Sequence, residues 1–157
     1  MASLFDPLPL TRGPALKNRF VLAPLTNLQS FPDGRLSDDE FKWLTMRATG
    51  GFGLTMTCAA SIAPVGLGFP GQLGAHDDMH LEGLTRLASA IRRAESHSVV
   101  QLHHAGMRSP GAIIGEKPVC PSDDAEAGVS EHSSPLRAPI FHKSGPLRAV
   151  CALADMR

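Results

Sequence analysis

The fold is decided by Val99-Val100-Gln101-Leu102-His103-His104-Ala105-Gly106. Val99, Val100 and Leu102 favour a strand, the run is too short to stand alone as a helix, and Gly106 and Pro110 end it. It reads as a buried parallel strand, with a carboxamide and two imidazoles delivered to its carboxyl end. Ligands of parallel α/β folds gather at that end, where Gln101 to His104 fall. The plain alternative is that Gln101 and the histidines only close a strand with satisfied hydrogen bonds, as polar residues at the start of a loop do.

Working outward from this strand, Leu54 to Cys58 reads as a second one. Ala59 and Ala60 at its end are small enough for a flat ligand to approach the backbone. Phe20-Val21-Leu22-Ala23, closed by Pro24, reads as a first strand running into a Leu25-Thr26-Asn27 loop. Between the first two strands, Ser37-Asp38-Asp39-Glu40 matches a capping box, Phe41, Leu44 and Ala48 form a stripe, and Gly50-Gly51 supplies the stop. This predicts a helix over 37–49. Asp77 or Asp78 can cap a second helix, predicted over 78–95, with its stripe at Leu81, Leu84, Leu87, Ala88 and Ile91. Strand, helix, strand, helix, strand implies α/β architecture with a parallel sheet and right-handed crossovers. Leu4–Thr11 and Leu16–Phe20 flank a turn at Arg12-Gly13-Pro14 and read as a small N-terminal hairpin plugging one end of the fold. The Gly/Pro-rich loop Ala63–Gly74 is long enough to be functional or mobile.

Composition narrows the function classes. Fifteen Lys plus Arg balance fifteen Asp plus Glu across 157 residues, so no overall field draws nucleic acid or anionic lipid. Small-molecule binding is the default that remains. No basic segment leads into a long apolar run at the N-terminus, and none approaches the roughly twenty residues of a membrane helix; the expected location is the cytoplasm. Cys58, Cys120 and Cys151 are odd in number and widely spaced, which argues for reduced thiols rather than a disulfide framework or structural zinc.

Two chemistries offer themselves and are set aside. His76 and His80 have the i, i+4 spacing of two metal ligands on a helix, but an aspartate follows His76 where a metallohydrolase places its glutamate base, so no metal is expected. His103 and His104 are adjacent and point to opposite faces of a strand, so at most one meets a ligand while the other packs against a helix. No serine has a nucleophile-elbow context.

Taken together, Lys17-Asn18-Arg19-Phe20-Val21-Leu22-Ala23-Pro24-Leu25-Thr26, then Gly51-Phe52-Gly53-Leu54 running to Cys58-Ala59, then Gln101 to Gly106, resemble the old yellow enzyme family in order and spacing. The resemblance covers nearly the whole chain. It implies a TIM (β/α)8 barrel of which this chain carries about three strands, as a single partial FMN-binding domain: hairpin over 1–19, strand and helix units over 20–104, a long loop or lid over 105–152 and the start of a helix over 153–157. It implies FMN as cofactor, with Pro24 and Leu25 giving backbone contacts, Thr26 a hydroxyl to the isoalloxazine, Ala59 a backbone contact, and Gln101 a carboxamide to the polar pyrimidine edge. It further implies a reaction in which NAD(P)H reduces the flavin and the flavin reduces an activated alkene or similar small-molecule acceptor.

Three features of the family are missing from this sequence. The chain has no tyrosine, which family members often use as proton source, and it has neither their later-strand His/Asn or His/His pair nor the phosphate cradle that follows strands seven and eight. Catalytic residues are therefore unassigned. The expectation is a truncated chain, inactive alone and prone to associate through an open barrel edge. A non-enzymatic remnant or interaction module of the same fold is the alternative, and a hydrolase using His76 and His80 a more distant one.

Overall fold

Three strands, β1 (Val21–Leu22), β2 (Leu54–Ser61) and β3 (His97–His103), form one sheet in the order β1-β2-β3. Both pairings are parallel, with Val21 opposite Leu54 and Leu54 opposite His97. The computed structural model describes residues 1–119 and the backbone of 120 and 134–135. Helix α1 (Asp38–Thr49) connects the first two strands and α2 (Leu81–Arg93) the next two. These are the three strands and two helices that the apolar stripes and caps predict, and this βαβαβ order is the repeating unit of a (β/α)8 barrel.

One core holds the unit together. Leu44 and Ala48 of α1, Leu84, Leu87 and Ile91 of α2, and Leu22, Cys58 and Ala60 of the sheet pack into it, with Val100 at its margin. Because successive strand residues alternate faces, Val99, Gln101 and His103 stand on the opposite face, and so does Ala59. That is the face a closed barrel turns inward. Here Val21 is 47% exposed on it. On the outside, the guanidinium of Arg86 on α2 lies 3.9 Å from the Phe41 ring of α1 and pairs with Asp38 at 2.8 Å.

Several local expectations change. The N-terminal hairpin is a single antiparallel bridge, Leu8 to Leu16, because Gly13 at φ +96° and Pro14 turn the chain before a ladder can extend. Lys17 ties the segment to the end of α2 by donating to the Ala94 carbonyl at 2.8 Å. β2 runs on to Ser61, so Ala59 lies inside the strand rather than beyond it, next to an irregularity between Met56 and Ala59. At α1 only half of the capping box forms: Ser37 Oγ accepts from Glu40 N–H, while the Glu40 side chain turns inward. The reciprocal box forms instead at Asp77, which accepts from Met79 N–H while His80 Nδ1 accepts from Asp77 N–H. It begins a single 3-10 turn, Asp78–His80, that leads into α2.

Within the stretch expected to be loop, a 3-10 turn at Gly106–Arg108, a short α3 (Gly111–Ile114) and a parallel two-strand pair, β4 (Val119–Cys120) with β5 (Ser134–Pro135), are formed. The remainder of the expected lid and the expected helix start at 153–157 lie outside the described residues. Among the described residues no helix is long and apolar enough to cross a membrane.

Candidate functional site

Pro24 ends β1 because it cannot donate to the ladder, and the chain enters a loop whose first residues, Leu25 and Thr26, are exposed. The Thr26 hydroxyl meets no hydrogen-bond partner among the described residues. What fixes this loop is Glu40, a fully buried carboxylate in the first turn of α1. It accepts from Asn27 Nδ2 at 3.2 Å, from the Ser30 hydroxyl, and from the Cys58 thiol of β2 at 2.7 Å. Three donors and the positive end of α1 satisfy a carboxylate that forms no ion pair among the described residues. The Cys58 thiol is pushed far above the ordinary cysteine range, first by burial and then by the neighbouring Glu40 charge, so it stays protonated as a donor. Gly71 braces the same loop: its carbonyl accepts from Ser30 N–H at 3.1 Å, and at φ +65° a Cβ there would lie 2.6 Å from the Leu28 carbonyl.

On the next strands Ala59 and Gln101 are direct neighbours in the parallel register. Gln101 N–H donates to Thr57 Oγ1 at 3.2 Å, while its half-buried carboxamide makes no hydrogen bond among the described residues. The Ala59 carbonyl, in contrast, accepts from the fully buried Gln72 at 3.0 Å, which leaves the Ala59 methyl to the inner face. Gln72 also receives Gly68 N–H at 2.8 Å and reaches His103 Nδ1 at 3.0 Å. His104 packs against the single 3-10 turn Pro64–Gly66. A Cβ on Gly66 would lie 2.5 Å from its ring. Its Nδ1 accepts from Gly106 N–H at 3.0 Å, its Nε2 is buried without a partner among the described residues, and burial, then the neighbouring His103, holds its pKa below 6.5.

His76 and His80 do lie together, with ring centroids 4.6 Å apart, but both nitrogens of buried His80 are engaged, Nδ1 by Asp77 N–H and Nε2 by the Asp33 carbonyl at 3.1 Å. No group of three metal-binding side chains is found among the described residues.

Of the five residues singled out from the sequence, two, Ala59 and Gln101, are neighbours across β2 and β3, and three, Pro24, Leu25 and Thr26, follow β1 on the far side of β2. An open hydroxyl, an open carboxamide, a small methyl and exposed apolar surface are the kinds of group that a flat ligand with an apolar body and a polar edge uses. Sequence reasoning missed Glu40 and Gln72. The first was hidden inside a capping pattern; the second sits in a glycine-rich loop with no periodicity to mark it.

A parallel α/β barrel segment is the class this fold defines. Residues 3–144 match the NADH:flavin oxidoreductase / NADH oxidase family, and the chain belongs to that family. It is 36% identical over 126 residues to the probable NADH-dependent flavin oxidoreductase YqiG of Bacillus subtilis, covering 80% of this chain and 34% of that protein. It is 31% identical over 157 residues to an NADPH dehydrogenase of Bacillus licheniformis, covering 98% and 46%. Among solved structures it resembles the old yellow enzyme homologue from Zymomonas mobilis, with a TM-score of 0.77, 28% identity and coverage of 87% of this chain and 40% of the other. Morphinone reductase in complex with tetrahydroNAD superposes with a TM-score of 0.73 at 28% identity, covering 82% and 35%. The chain thus spans about a third to under half of the length of these relatives.

Proposed function

We propose that this chain forms the flavin-facing part of an FMN-dependent oxidoreductase that takes hydride from NADH or NADPH and delivers it to an activated alkene or similar acceptor. The single observation that carries the reading is the Gln101 carboxamide, open on the inner face beside Ala59 at the carboxyl end of the sheet. A group offering a donor and an acceptor side by side matches the pyrimidine edge of a flavin. Family membership, the nicotinamide-dependent names of the relatives and the tetrahydroNAD bound to morphinone reductase support the same direction.

Bound FMN would supply the hydride-carrying ring; the protein's own residues bind and orient it. In this reading Pro24 and Leu25 carry the ring on their backbone, Thr26 hydrogen-bonds it, Ala59 leaves room beneath it, and Gln101 holds its polar edge. The acceptor and a proton source await groups beyond these five. The chain assayed by itself is accordingly expected to show little turnover.

The test is a titration of the purified chain with FMN, followed by flavin fluorescence, alongside Gln101→Ala and an assay of NADPH-dependent enone reduction. Losing two hydrogen bonds at about 1 kcal/mol each weakens binding by roughly tenfold or more. Equal FMN affinity in both proteins would refute the assignment of Gln101.

A further inference from the structure

Gln72 fixes the tautomer of His103. Its amide orientation is set twice over by backbone groups whose roles cannot reverse: Oε1 accepts from Gly68 N–H at 2.8 Å, and Nε2 donates to the Ala59 carbonyl at 3.0 Å. The second hydrogen on Nε2 is then left for His103 Nδ1, 3.0 Å away. Nδ1 must accept, so in the neutral ring the proton resides on Nε2. Phe69, with ring centroids 6.3 Å away, and Gly68, where a Cβ would lie 3.1 Å from Cε1, confine the imidazole. His103 Nε2 itself meets no partner among the described residues. Strand alternation puts this N–H donor on the same face as the Gln101 carboxamide, two residues further toward the carboxyl edge.

We infer that His103 is a second ligand-facing donor, which takes an acceptor oxygen, carbonyl or carboxylate, of the electron-accepting substrate, and that Gln72 is the residue positioning it. The inference rests on the flavin reading of Gln101, since it places that oxygen beside the same ligand. A fixed N–H aimed at an oxygen conjugated to an alkene stabilises the negative charge that grows there on hydride addition. Holding the tautomer through a buried amide means that the donor needs no rearrangement when the substrate arrives.

The test uses the 157-residue chain with 15N-labelled histidine and glutamine side chains, read by long-range proton–nitrogen spectra. In the wild type His103 is expected as the Nε2–H tautomer. Gln72→Leu removes that preference, and the wild-type spectrum stands by itself should this variant fail to fold. With FMN present, cyclohex-2-enone or acrylate is expected to shift His103 Nε2 while leaving His97 unmoved; which of the two does so identifies the oxygen as carbonyl or carboxylate. His103→Phe should weaken the responding probe about fivefold, and His103→Gln, which keeps a donor, less than twofold. A wild-type Nδ1–H tautomer overturns the proposal. So does a His103 indifferent to both probes when FMN shifts the Gln101 amide, a result that leaves the flavin reading standing. A Gln101 amide indifferent to FMN removes the flavin reading and this proposal with it.

Discussion

Glu40 is the residue on which the loop after β1 depends. A carboxylate with no solvent exposure is costly unless its oxygens are hydrogen-bonded, and here Asn27 and Cys58 donate to one and Ser30 to the other. Glu40→Ala leaves two buried donors and one half-buried donor facing a void, so a loss of about 3 kcal/mol or more is expected from urea denaturation, with Glu40→Gln retaining part of the stability. Cys58 gives a second test at the same place. Held as a protonated donor, it should resist iodoacetamide in the folded chain and react once urea is added, read peptide by peptide in the mass spectrometer. The Ser37-x-x-Glu40 pattern announced the helix but not the direction of the glutamate. A glutamate reaching back to its own N-cap and one reaching into a core look identical in sequence, since the choice depends on donors 10 to 18 positions away.

Elements set by local signals were legible. The β-branched run at Val99, the apolar stripe of α2 and the Gly50-Gly51 stop each fix one element within a few residues, and those elements form with the predicted parallel pairing. The loop Ala63–Gly74 was legible only as long and rich in Gly and Pro, because its order comes from contacts distant in sequence: Gln72 to Ala59 and His103, and Gly74 N–H to the Gly34 carbonyl. Gly74 shows the tightness of this packing. A Cβ there overlaps the buried His80 ring, so Gly74→Ala should cost about 1–3 kcal/mol and loosen the entry to α2, checked by urea denaturation and amide exchange at 78–84. His76 and His104 set the pH response of this layer. Burial, the largest cause in each, holds both below the ordinary 6.5 in the folded chain. The unfolded chain therefore takes up protons first as pH falls. Their contribution to stability is full above about pH 6.5 and lost as pH drops toward the depressed folded values. The urea midpoint should fall between pH 7.5 and 5, and less so in His76→Gln.

At the scale of the molecule, three parallel strands leave more surface than two helices cover. β1 and β3 each have one edge without a partner strand among the described residues, and Val21 and Leu102, on β1 and β3 respectively, are 47% and 40% exposed. In a closed barrel the next strands occupy those edges, and side chains from across the barrel fill the inner face. An unpaired edge carries a row of free N–H and C=O groups, and with apolar side chains beside it that edge pairs readily with another copy. Self-association of the purified chain, increasing with concentration, is the expected result in sedimentation velocity. Leu102→Lys places a charge on the β3 edge, the device natural sheets use against such pairing, and should shift the association midpoint upward by about tenfold or more while leaving the circular dichroism spectrum in place. The substitution lies on the face opposite Gln101, so it should not touch FMN binding. A chain that stays monomeric at high concentration would show that the described strands are covered without a second copy. Association that Leu102→Lys leaves unchanged would move the contact to β1, where Val21→Lys is the corresponding test.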